Sequence, residues 1–371
     1  MRLVFMYVGK HMAQEGSNMK WNQKAKATNY YVNFLKTEGY YYLIDNLLQE
    51  GIVDEVLVLI ECVRGAGCFE YKKGFSGFVT PEMWQARKFL RKDDVIWCRG
   101  GHRTWFNFLN AAVDEGKWTI CYAANTGRQK WTFWHVVFND LDGRTWLDGR
   151  GRVQLDWKKP TNPEMFYPTE DEKVYDLCIG ASHIHDKKAQ WKTIDGLVEY
   201  KKIFGKNLKC VLPGSFHHGV RSSTIYDKIS NNKLDVEIVG MLSRDELRVI
   251  YNKSRLFVHL GGGGQNDRGP LEAMRCGVPV VVETPGRHAP FIPQMADNWV
   301  CKGANSPRVL AGDLHYYLKM LDHDVGRRVF EFYEAEAGMD TVIMPQMHKL
   351  FGILRQHPVA DIRVLREEFG I

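Results

Sequence analysis

At 371 residues the chain exceeds what one ordinary hydrophobic core serves, and two α/β domains are the natural prior. A hydrophobic fraction of 44% and a charged fraction of 25% are those of a soluble globular protein. The net charge of +6 suits a phosphate-bearing ligand or an anionic surface but is no nucleic-acid footprint, and no apolar run approaches the ~20 residues of a membrane span.

In chain order, the opening run MRLVFMYVGK is strand-like and soon turns polar at His11, without the apolar core or cleavage site of a signal peptide. Residues 3–8, 55–60, 95–98 and 119–123 read as strands, being short and β-branched or aromatic. Residues 27–49, 82–90 and 105–115 carry helical patterns between them. This alternation predicts a parallel α/β sheet. Residues 128–157 are Trp-rich and punctuated by Gly and Asp, and a β-hairpin is expected there. Residues 158–173 carry three prolines and many charges and read as the linker, with domains at 1–165 and 166–339. The eight cysteines form no C-x-x-C pair, and Cys98, Cys121, Cys178 and Cys210 fall in predicted buried strands. Free thiols in a reducing cytoplasm fit this best, with Cys62 and Cys68 read as one buried and one loop thiol.

The second half repeats the alternation more cleanly. Strands are predicted at 174–180, 208–212, 236–239, 256–260, 278–282 and 298–301, and helices at 191–204, 221–229 and 307–321. Ser243-Arg244-Asp245-Glu246 is a capping box, with the Glu three residues after the Ser, and opens a helix to Lys253. The strand at 256–260 ends in four glycines, followed by a short polar loop and a small-residue helix at 271–275 that Cys276-Gly277 closes. Glycines between a strand and a helix N-terminus bring bare backbone N–H groups close to a bound anion. Glu272 is expected in that first helical turn. From residue 327 onward the pattern is largely helical.

Gly240, Ser243, Glu246, Leu247, Tyr251, Glu272, Ala273, Met274, Gly277, Pro279 and Val280, in this order and spacing, resemble the donor domain of GT-B glycosyltransferases, specifically the retaining family-4-like group. The resemblance implies an α/β fold with two Rossmann-like domains whose parallel sheets face each other across a cleft. It also implies that the C-terminal helix, about 340–371, packs back on the first domain. The activity it implies is transfer of a sugar, with retention, from a nucleotide-diphosphate sugar to an acceptor hydroxyl on a glycan, glycoprotein or glycolipid, without a bound metal or a cofactor.

The site residues follow from the same resemblance. Glu272 takes the place of the acid that accepts from the ribose hydroxyls, and the N–H groups of Gly269, Leu271 and Glu272 meet the diphosphate, with Pro270 beside them in the donor site. Lys192 and Lys187 align with the family's basic pair, which stabilises the departing phosphate; the plainer alternative is a solvated, charged helix start. His102 falls where such enzymes place a histidine near the sugar's reactive carbon, or else is an ordinary loop residue. Ser182 and His183 follow the first donor-domain strand, Gly214 ends the next, and Gly9 ends the first strand of the chain. Met241 and Leu242 sit where the family holds the nucleobase, although an apolar pair before a helix is more often plain core. The family's first acid, eight residues before Glu272, is replaced by Gly264. Gln265, Asn266 and Asp267 are then the candidates to reach the sugar hydroxyls, or none does. The expected partners are a nucleotide-sugar and a glycoconjugate acceptor, without nucleic acid; a peripheral membrane contact and the oligomeric state stay open. Two other readings compete: an epimerase or phosphorylase on the same fold, and a carbohydrate-binding protein without turnover.

Overall fold

The computed structural model describes residues 1–8, 39–61, 67–99, 103–122, 134–139, 152–156, 159–180, 183–184, 189–216, 220–261, 268–283, 300–301 and 304–370. The chain forms two compact units, one of Met1–Pro160 with Asp340–Ile371 and one of Thr161–Met339.

The first unit runs β1 (Arg2–Val8), α1 (Tyr40–Gln49), β2 (Glu55–Glu61), β3 (Gly67–Lys72), β4 (Phe75–Thr80), a 3-10 helix (Met83–Phe89), β5 (Asp94–Arg99), α2 (Phe106–Asp114), β6 (Trp118–Tyr122), β7 (Val136–Asn139) and β8 (Val153–Asp156). Its sheet has the order β3-β4-β2-β1-β5-β6-β7-β8. Strands such as β2, EVLVLIE, are apolar on successive residues because helices cover both faces of a parallel sheet. Val4, Met6, Leu59, Ile96, Cys98 and Trp105 belong to one buried cluster of this unit.

Three expectations are corrected here. The hairpin expected at 128–157 supplies β7 and β8, but they pair in parallel, Val136 opposite Val153. The helix expected at 82–90 is 3-10 rather than α. An antiparallel pair, β3 with β4, edges the sheet where no strand was predicted. Its turn holds Gly74 at φ +79°, and the exposed, mixed-polarity β3 carries little apolar alternation to reveal it. Cys68 therefore lies on an edge strand, exposed, whereas Cys98, Cys121, Cys178 and Cys210 are buried. Of the helix expected at 27–49, residues 27–38 lie outside the described residues.

The second unit runs β9 (Tyr175–Ile179), β10 (His183–Ile184), α3 (Gln190–Phe204), β11 (Cys210–Pro213), β12 (Ser215–Phe216), α4 (Val220–Asn231), β13 (Val236–Gly240), α5 (Arg244–Asn252), β14 (Ser254–His259), α6 (Arg268–Arg275), β15 (Val280–Glu283), β16 (Val300–Cys301), α7 (Pro307–Met320) and α8 (Val325–Ala337). The order β13-β11-β9-β14-β15-β16 is parallel throughout. Leaving aside the small β10–β12 pair, this is the doubly wound 3-2-1-4-5-6 arrangement, whose direction reverses between β9 and β14. The capping box forms as written: Ser243 Oγ accepts from the Glu246 N–H at 3.2 Å, and Glu246 Oε2 accepts from the Ser243 N–H at 2.7 Å. Phe166 is buried against the cluster of Tyr251 and Leu271, and so residues 161–165 belong with this unit rather than the first.

A π-helical turn (Met339–Ile343) joins α8 to α9 (Met344–Gln356), and α10 (Ile362–Phe369) follows. Both helices belong to the first unit, where Trp118 Nε1–H donates to the His357 carbonyl at 2.6 Å and the Ala360 N–H donates to the Gly116 carbonyl at 2.9 Å.

Candidate active site

In an open parallel sheet, ligands bind outside the carboxyl ends of the strands, at the point where strand order reverses. In the second unit that point lies between the ends of β9 and β14. The chain there is close-packed. The Gly180 N–H donates to the Val258 carbonyl at 3.0 Å, and the Gly180 carbonyl accepts from His259 Nδ1 at 3.1 Å. A carbonyl only accepts, so Nδ1 carries the proton in this contact. A Cβ added at Gly180 would stand 1.8 Å from Phe257 Cζ. Gly180→Ala should therefore lose about 1–3 kcal/mol through overpacking, read as a lower denaturation midpoint at unchanged slope.

Glu272 lies on α6, which starts three residues earlier than predicted. It is the fifth helical residue and so lies in the second turn, where its N–H serves the helix's own ladder. The N–H groups left to meet an anion are those of Arg268, Gly269 and Leu271, since Pro270 has none. Glu272 is 2% exposed, and Arg244 Nη1 donates to its Oε1 at 2.9 Å and Oε2 at 3.0 Å. Arg244 is the first residue of α5, placed there by the capping box. Burial, and then the Glu272 charge, push the Tyr251 phenol well up and the Cys276 thiol up to about 12. The carboxylate is thus embedded in apolar surroundings behind a more exposed guanidinium.

Lys192 is the third residue of α3, and its Nζ donates to Glu283 Oε1 at 2.6 Å. Its side chain is 12% exposed, which overturns the reading of a solvated helix start. Glu283 is the last residue of β15, so this second ion pair also lies at the carboxyl edge.

The remaining predicted residues distribute unevenly. Gly214, at φ +127°, donates its N–H to the Gly240 carbonyl at 2.7 Å. Met241 and Leu242 separate: Met241 is 52% exposed, which overturns the plain-core reading for it, and Leu242 packs partly buried against the Tyr251 cluster. The backbone of His183 pairs with Ser215. His102, Lys187, Ser182, Gly264, Gln265, Asn266, Asp267 and Gly9 lie outside the described residues.

No protein-family model matches the chain, and no curated protein matches it in sequence. Solved structures do match it. Anabaena HepE in complex with UDP and glucose aligns at TM-score 0.63 and 12% identity, covering 95% of this chain and 99% of that one. Sucrose-phosphate synthase from Thermosynechococcus elongatus aligns at 0.62 and 13%, covering 96% and 99%. The E. coli trehalose-6-phosphate structure bound with UDP-2-fluoro glucose aligns at 0.65 and 8%, covering 96% and 99%. The fold is that of the GT-B glycosyltransferases.

Three residues at this GT-B sheet edge escaped the sequence reading: Arg244, His259 and Glu283. Arg244 stood in view as the second letter of the capping box, but its partner lies 28 positions away. His259 and Glu283 end strands β14 and β15, and a polar residue closing an apolar strand was the signal available for both. Among the described residues, no helix is long and apolar enough to cross a membrane.

Proposed function

We propose that the chain is a glycosyltransferase that moves a sugar from a nucleotide-diphosphate sugar to an acceptor hydroxyl of a glycan, glycoprotein or glycolipid. The observation that carries this reading is the Arg244–Glu272 pair, buried at the start of the helix that follows the switch-point strand β14. Burying a charge pair is costly and needs a reason beyond stability. Here it holds a guanidinium on the side chain of the fifth residue of α6, and a cation near a helix N-terminus is suited to a diphosphate. Glu272 keeps lone pairs for ribose hydroxyls, since Arg244 occupies one acceptor position on each of its oxygens.

In the reaction, the bond from the sugar's C1 to the β-phosphate oxygen breaks and a bond from C1 to the acceptor oxygen forms. The nucleoside diphosphate departs with its new charge held by Lys192 and by the N-terminus of α6, and the acceptor's proton passes to the β-phosphate oxygen released from C1. Retention of configuration follows the resemblance of the 240–280 segment to a retaining group. The related folds were solved with UDP, glucose or UDP-2-fluoro glucose, which makes UDP-glucose the first donor to test.

A thermal-shift series with UDP, UDP-glucose, ADP-glucose and GDP-mannose tests the reading. At 100-fold excess over its Kd, a ligand adds about 2.7 kcal/mol to the folded state, enough to raise Tm by several degrees. Slow release of free sugar from the best donor should accompany it. If none of these ligands moves Tm, the chain is no nucleotide-sugar enzyme of this kind.

A further inference from the structure

Glu283 holds a buried carboxylate oxygen without a hydrogen bond. Its Oε1 accepts from Lys192 Nζ at 2.6 Å, whereas Oε2 has no partner among the described residues. Such an oxygen is expensive in a folded protein and calls for a donor that arrives later. Its position narrows what that donor is. β15 pairs with β14 in parallel, His259 opposite Val282, so Glu283 stands one residue past the end of that ladder. This is the level at which the chain leaves β14 and enters the glycine run 261–264.

The chemistry of the pair is suited to a sugar rather than to a second phosphate. A carboxylate repels phosphate but accepts strongly from a hydroxyl. Lys192 holds one oxygen and so fixes the rotamer that presents the other. Glu272 differs in that both of its oxygens already accept from Arg244, and its remaining lone pairs are assigned to the ribose above.

We propose that Glu283 is the sugar-recognising carboxylate of this site: Oε1 positions Lys192, and Oε2 accepts a hydrogen bond from a hydroxyl of the sugar in a bound nucleotide-diphosphate sugar. This rests on the donor-site reading above and adds to it a specificity-determining residue.

The test compares Kd for UDP, ADP and GDP with Kd for UDP-glucose, ADP-glucose and GDP-mannose, by titration calorimetry, in the native chain and in Glu283→Gln and Glu283→Ala. Nucleotide affinity should change little. The gain in affinity that the sugar adds should fall by about tenfold, the worth of one charge-assisted bond. Deoxy analogues of the best sugar locate the hydroxyl: removing it should weaken binding to the native chain and leave the variants unaffected. A loss of sugar-dependent affinity below threefold in both variants, or an equal deoxy penalty in native and variant chains, overturns the assignment while leaving the donor site standing. If no nucleotide or nucleotide-sugar binds the native chain, the donor reading fails and this inference with it. Should a variant melt below the assay temperature, Glu283→Asp, which keeps the charge and the Lys192 pair but withdraws Oε2, is read by the same ratio.

Discussion

Glu272→Ala is expected to lower stability by about 3–5 kcal/mol and to abolish the nucleotide-induced rise in Tm. The first effect arises because alanine leaves Arg244 with a half-buried guanidinium whose bonds to both carboxylate oxygens are gone. The second arises because the carboxylate is the acceptor offered to the ribose and the anchor of the cation offered to the diphosphate. One variant alone confounds the two, since an unstable protein also binds poorly. The double variant Arg244→Met with Glu272→Met separates them: replacing both partners by apolar groups of similar volume is often neutral or stabilising. It should recover most of the lost stability in urea unfolding and still show no Tm response to UDP-glucose. A double variant that responds as the native chain does would make the pair purely structural and remove the support for the donor site.

The elements legible in the sequence are those whose determinants are local. The capping box of α5 spans four residues and both of its reciprocal bonds form. The alternation of β9 through α7 rests on apolar runs set off by Gly and Pro, and its elements appear close to the predicted limits. What was not legible depends on residues far apart in the chain. The pairing of β7 with β8 looked like a hairpin because proximity in sequence favours a turn, whereas a parallel ladder is a tertiary fact. α6 begins at Arg268 and not at Leu271 because its first turn contains Gly269 and Pro270, residues that local propensity counts against a helix but that a helix start accepts. Each candidate charge was readable as a charge, yet its partner was not: Arg244 and Glu272 are 28 residues apart, Lys192 and Glu283 are 91. The sequence therefore left a phosphate-facing and a solvated Lys192 side by side and named no partner for Glu272, and the pairing excludes only the solvated reading.

Lys192→Met should lower kcat with the best donor by about 10²–10³-fold while changing Kd for the nucleoside diphosphate by only a few-fold. The asymmetry follows from where the charge acts. On the proposed reading the diphosphate of a bound donor is shared among the N-terminal N–H groups of α6 and Arg244, so one cation adds little to ground-state affinity. When the bond to C1 breaks, the departing phosphate gains negative charge, and a cation fixed in advance by Glu283 meets it without reorganising. An interaction realised only in the transition state lowers kcat and kcat/KM together, and that joint fall is the pattern to look for. Lys192→Met also strips Glu283 of its fixed donor, which alone would raise the pair's desolvation cost and blur the result. Lys192→Met combined with Glu283→Gln removes the stranded charge, and if its kcat falls as far below that of Glu283→Gln alone, at native-like Tm, the loss belongs to the cation and not to a collapsed site. A kcat within threefold of native in both variants would leave Lys192 as a structural partner of Glu283 and assign the phosphate's new charge to the helix N-terminus alone.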